Sequence, residues 1–151
     1  MLKTLTAAAL AVAMALPALA DGPLESEMTA WLVGYDDAGE ETLTLIEDVA
    51  PGAMVEYRLA YTNIGEVPLS GLVVSAPVPD ATDLELGSND TVISSSFEAS
   101  IDGGENWGVP PLETSPGVFA DIGDYDLVRW STNEAIAPGD SWQFAYRVSV
   151  E

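Results

Sequence analysis

One device occurs twice in this chain and constrains its fold more than any other feature. A Pro-Gly turn is followed by a long run that alternates apolar and polar residues. In the first copy, Ala50-Pro51-Gly52 precedes a run in which Val55, Tyr57, Leu59 and Tyr61 recur at every second position. Met54, Glu56, Arg58, Ala60 and Thr62 fall between them. In the second copy, Ala137-Pro138-Gly139 precedes Trp142, Phe144, Tyr146, Val148 and Val150 at the same spacing. A period of two is that of a β-strand with one apolar face. Proline presets φ and glycine supplies a positive φ, so each strand is launched from a tight turn. Asn63-Ile64-Gly65 closes the first run, where Asn and Gly are expected to take left-handed geometry.

The remaining chain supplies neighbours for these two strands. Met28–Tyr35, Glu41–Ile46, Leu69–Ala76, Thr82–Leu86, Val92–Ile101 and Asp126–Thr132 all read as strands. Pro77-Val78-Pro79 marks a point where the chain must leave its sheet. Ser94, Ser95 and Ser96 suggest an edge strand or a bulge, open to pairing with another chain. Asp102-Gly103-Gly104 is a tight hairpin signal, and Pro110–Gly117 reads as irregular. Beyond the first 20 residues no segment has a helical period. The expectation is an all-β fold: a single immunoglobulin-like antiparallel β-sandwich of about seven to nine strands.

The first residues belong to a different class of segment. Lys3 lies ahead of an apolar run from Leu5 to Leu16, and Ala18-Leu19-Ala20 follows Pro17. This is the pattern of a secretory signal peptide, residues 1–20, cleaved after Ala20. The run is too short for a membrane span, which takes about 20 apolar residues. Residues 21–27 read as a polar lead-in and residues 28–151 as the domain. The expected location is periplasmic or secreted. About 130 residues would remain, enough for one domain with its own core.

Charge then narrows the partners. Without Lys3 the chain keeps three arginines against 25 acids, a formal charge of −22. Nucleic acid and anionic membrane surfaces are excluded as partners on electrostatic grounds, and no membrane span is expected. With no His or Cys anywhere and no lysine after Lys3, several chemistries lack their residues. Ser-His-Asp and Cys-His nucleophiles, Schiff-base lysines and His- or Cys-based zinc sites are all excluded.

Several of these stretches together resemble a known family. They are the Pro-Gly turn with its Tyr-containing strand and Thr62-Asn63-x-Gly65, then Leu72-Val73-Val74 with Pro77-Val78-Pro79. Ser100–Gly104, Val128-Arg129-Trp130 and Ala137-Pro138-Gly139 extend the likeness to roughly Leu43–Val150. The chain resembles the bacterial conserved-repeat domain of unknown function eleven. That resemblance implies an immunoglobulin-like sandwich in an exported or cell-surface protein, usually non-catalytic, and it supplies no catalytic residues. One copy is expected here, without repeated partners or an anchor.

Three local patterns could carry chemistry. Asp121, Asp124 and Asp126 lie in a Gly-containing loop and form the one calcium candidate, since Ca²⁺ takes six to eight oxygens. The alternative is a solvated acidic loop. Asp121 and Asp124 could also serve as the carboxylate pair of a hydrolase. Ser100-x-Asp102-x-Gly104-x-x-Trp107 has the spacing of the aspartate-box turn. In that turn the Asp accepts local N–H groups, Gly permits the tight backbone and Trp packs behind. It reads as a rigid structural hairpin. Of the tryptophans, Trp130 and Trp142 read as core. Trp31 and Trp107 could instead stack on a carbohydrate. The three arginines are expected to pair with nearby acids.

The leading expectation is an exported, non-catalytic structural or protein-interaction module, with another exported or cell-surface protein as partner. A small calcium- or carbohydrate-binding module is the alternative, and a carboxylate-dependent hydrolase a distant third. No cofactor is expected, calcium being the one ion left open.

Overall fold

A computed structural model of the chain describes residues 22–46 and 48–151. The expected signal peptide, residues 1–20, and Asp21 of the lead-in lie outside the described residues. The fold is an all-β sandwich of antiparallel sheets. Among the described residues ten strands follow in chain order: β1 Leu24–Tyr35, β2 Glu41–Leu45, β3 Met54–Asn63, β4 Val73–Pro77 and β5 Thr82–Leu84. Then come β6 Ser95–Ser100, β7 Glu113–Ser115, β8 Val118–Phe119, β9 Leu127–Thr132 and β10 Ser141–Val150. One sheet has the order β2-β1-β3-β10-β5 and the other β4-β9-β6, with β7-β8 a separate small hairpin.

The two Pro-Gly strands are neighbours at the centre of the larger sheet. Residues of β3 and β10 pair in register from Ser141↔Thr62 to Ser149↔Met54. Gly52 and Gly139 both have positive φ, 83° and 81°. Ala53 N–H donates to Ala50 C=O at 3.1 Å and Asp140 N–H to Ala137 C=O at 3.0 Å. Both are therefore turns of type II geometry. Each turn also bonds to the far end of the other strand. Gly52 N–H donates to Val150 C=O at 2.8 Å, and Gly139 N–H donates to Asn63 C=O at 2.8 Å. Two copies of one device thus lock head to tail, which fixes the register of the central pair.

The apolar faces of these strands meet the smaller sheet. Val55, Tyr57, Leu59, Phe144, Tyr146 and Val148 are buried against Val74, Ala76, Ala99, Val128 and Trp130. Trp130 is the hub. Its ring centroid lies 5.1 Å from Phe97, 5.5 Å from Phe144 and 6.1 Å from Tyr146, within the range of favourable aromatic pairs. Tyr146 also ties the sheets by a polar bond, donating to Pro77 C=O at 2.5 Å. Its burial pushes the phenol pKa well above the ordinary value. Pro77 ends β4, an edge strand, where a missing N–H costs the ladder nothing.

Four details differ from expectation. Strand β1 begins at Leu24 within the lead-in, because Pro23 C=O accepts from Ile64 N–H at 2.7 Å and starts the pairing with β3. Neither Asn63 nor Gly65 is among the left-handed residues. Asn63 instead donates its side-chain amide to Val67 C=O and Ile136 C=O and accepts from Gly65 N–H, all within 3.0 Å. Gly65 is there for space: a Cβ would lie 2.6 Å from Pro23 Cβ. The stretch Pro110–Gly117 contributes the hairpin strand β7, whose turn again places Gly117 at positive φ. That hairpin takes the strand number to ten, above the expected seven to nine.

Candidate functional site

Strand β6 ends at Ser100, and the chain then folds back over the outer face of the smaller sheet. The turn from Asp102 to Trp107 is built as its spacing predicts. Asp102 Oδ1 accepts from Ser100 Oγ at 2.9 Å and from Asn106 N–H at 2.9 Å, while Oδ2 accepts from Asn106 Nδ2 at 2.7 Å. Ser100 Oγ accepts in turn from Gly104 N–H at 2.9 Å. These donors hold the Asp102 carboxyl below the usual carboxylate range, the Asn106 side chain contributing most. Gly103 and Gly104 have φ of 71° and 87°. A Cβ on Gly104 would also crowd Leu127 Cδ1 at 3.1 Å and Trp107 Cζ2 at 3.3 Å. No ladder hairpin forms here, because only Ala99 bridges back to Gly108.

Trp107 is pinned from two sides. Its Nε1 donates to Gly104 C=O at 3.0 Å, and the Arg129 guanidinium lies 4.2 Å from the ring centroid. Arg129 is itself paired with Glu98, its cross-strand neighbour, at 2.8 Å. A pocket of about 410 Å³ opens beside this corner. Ile101, Trp107 and Leu112 give it apolar walls, while Asp102, Asn106, Glu113 and Thr114 contribute polar groups. Phe119 pairs with Glu113 across the small hairpin and is 55% exposed.

The acidic loop joins this corner through its last two residues: Tyr125 Oη accepts from Leu112 N–H at 2.8 Å, and Asp126 reaches the turn. Asp126 Oδ2 accepts from Gly103 N–H at 2.6 Å, and Asp126 N–H donates to Ser100 C=O at 3.0 Å. Asp121 precedes and Asp124 ends a single 3₁₀ turn, Ile122–Asp124, and both are exposed. Among the described residues no group of three acidic side chains converges as a metal shell would require. The structure thus brings Asp126 to the Asp102 turn and does not gather it with Asp121 and Asp124.

Sequence reasoning singled out the turn but missed the pocket. Its far wall comes from Leu112, Glu113 and Thr114, which lie in the stretch read as irregular. Ser115-Pro116-Gly117 repeats the Pro-Gly signal in miniature and could have marked the hairpin.

A second assembly of acids, arginines and a tryptophan covers the outer face of the larger sheet. Glu56 is only 6% exposed. It accepts from Arg58 Nε at 2.7 Å and from Arg147 Nε at 2.8 Å. Arg147 also makes a two-point contact with Glu41, at 2.6 and 2.9 Å. That bidentate bond raises the Arg147 pKa and lowers that of Glu41. Arg58 lies over Trp31 at 5.5 Å from the ring centroid. All three arginines after Lys3 are thus paired, as expected from the excess of acids. Trp130 and Trp142 are buried, whereas Trp31 and Trp107 are half-buried, each beneath a guanidinium.

No family model, curated protein or solved structure matches the chain.

Proposed function

We propose that the chain is an exported, non-catalytic protein-interaction module. The observation that carries this reading is the corner pocket: a turn closed by its own hydrogen bonds and an exposed hairpin, with Phe119 more than half exposed opposite Glu113. Apolar anchors next to polar groups on a stiff frame are the anatomy of a recognition surface. A catalytic role has less support. Acid–base chemistry with two carboxylates needs one of them protonated and the other not. Asp102 is fixed in its ionised form by its donors, and Glu113 is left alone in the pocket. The resemblance to the bacterial conserved-repeat domain and the leader-like first 20 residues support export.

The test uses the whole chain expressed in its own host. N-terminal sequencing should find a mature chain that begins at Asp21. A photo-crosslinking residue at Ser115 should give a discrete adduct with one protein. If Ser115 and positions on the other faces, such as Leu45, Ser96 and Gln143, all fail to give an adduct, the interaction role is wrong.

A further inference from the structure

We propose that the corner pocket receives a cationic side chain of the partner polypeptide, arginine in preference to lysine. This rests on the interaction-module reading and names the chemistry of its partner. The lining has two characters that match the two parts of such a side chain. Ile101, Trp107 and Leu112 offer apolar surface to the methylene stem. Glu113 offers a free carboxylate, and Asn106 and Thr114 neutral acceptors, to the head group, while Asp102, its oxygens held by Ser100 and Asn106, adds its negative charge. A guanidinium has five N–H donors in a planar fork and is less strongly hydrated than an ammonium, so it suits several acceptors in a half-apolar setting better. The volume, about 410 Å³, falls among pockets that enclose small ligands.

Electrostatics points the same way. Among the described residues the only cation close to this corner, Arg129, sits against the Trp107 ring and is offset by Glu98 at 2.8 Å. Glu113 has no ion-pair partner among the described residues, all of whose ion pairs lie elsewhere. The surrounding domain carries a large excess of acids, which raises the local concentration of cations and speeds their arrival. An anionic ligand is repelled. Phe119, next to Glu113, gives an apolar rim for the residue adjoining the arginine. A second hollow, lined by Glu25, Glu27, Ala60 and Thr62, has acids but no aromatic or branched aliphatic wall, and serves as the control.

The test is a calorimetric titration of the mature chain with a blocked hexapeptide of alternating arginine and glycine. Matching peptides carry lysine or citrulline, the neutral isostere of arginine. The expected order is arginine, then lysine, with no binding by citrulline. Glu113→Gln should weaken the arginine peptide about tenfold, the usual scale for a hydrogen bond to a charged group. It should leave the thermal melt unchanged. Glu27→Gln removes the same charge from the control hollow and should change affinity less than about twofold. Equal losses from both variants would reduce the effect to bulk charge and overturn the pocket, as would binding of the citrulline peptide. The crosslinking experiment separates the two readings. If the Ser115 adduct survives Glu113→Gln undiminished, the arginine pocket fails and the interaction module stands. If no position gives an adduct, the module fails whatever the peptide does.

Discussion

Trp31, Arg58 and Glu56 lie on the outer face of one sheet, and Trp107, Arg129 and Glu98 on the outer face of the other. The residue types are the same, but the two assemblies do different work. On the larger sheet a second arginine, Arg147, joins Glu56 to Glu41, so the buried carboxylate is held by two cations. The polar groups there are spent on one another, and the result is a brace across β3, β10 and β2. On the smaller sheet a single arginine faces a single half-exposed glutamate. The other side of that corner is a turn whose polar groups are met within Ser100–Asn106 and by Asp126, which leaves Glu113 and the pocket walls open. The difference teaches that burial of the carboxylate decides the outcome. A buried Glu56 must be compensated in place, whereas an exposed Glu113 can be completed by another molecule.

The largest expected effect breaks the brace. Glu56→Ala leaves Arg58 without its carboxylate and Arg147 with Glu41 alone. Full burial would make the loss about 3–5 kcal/mol, and the residual exposure of both arginines brings it to about 2–3 kcal/mol. Glu98→Ala should cost less than about 1 kcal/mol, as for other solvent-screened pairs. Urea unfolding of both variants measures the contrast, and equal losses would erase it. Next in size, Gly104→Ala should cost roughly 2 kcal/mol in the same assay, since the left-handed penalty adds to the Leu127 contact. Gly103→Ala meets open space and should cost only about 1 kcal/mol.

A smaller effect sharpens the comparison optically. Arg129→Ala should lower stability by no more than about 1 kcal/mol while uncovering Trp107, which acrylamide quenching of tryptophan fluorescence would report. Arg58→Ala should likewise uncover Trp31, with a larger loss of stability because Glu56 is buried. The smallest effect is on acid sensitivity. Asp102 and Glu41 both have lowered pKa values in the folded state. Their contributions are therefore complete at neutral pH and are lost as pH falls through those lowered values. Urea midpoints measured from pH 7 to pH 3 should fall, and fall less in Glu41→Gln, which has no such proton to take up.

The central strands were legible because period and turn chemistry agreed. Ser141–Val150 has the bounds expected from its alternation, and β3 differs by about a residue at its ends. The aspartate-box turn was legible because all its hydrogen bonds but the one from Gly103 to Asp126 are local, closing within Ser100–Trp107. What stayed hidden depends on distance in sequence. Nothing local says that Asn63 bonds Ile136, that Gly65 must admit Pro23, or that Asp126 serves Gly103. Spacing also left open whether Asp121, Asp124 and Asp126 converge, since nearness along the chain does not set where side chains point. Strands β7 and β8 were missed because two or three residues are too few for a period to show.

The four tryptophans give the most direct test. Each indole N–H is a separate NMR reporter: Trp107 at the open corner, Trp31 at the brace, and Trp130 and Trp142 in the core. Titration with the arginine peptide should shift the Trp107 signal, together with the side-chain amide of Asn106, and leave the other three indoles in place. Shifts of the Trp31 signal equal to those of Trp107, or a stationary Trp107, would contradict the assignment of recognition to this corner.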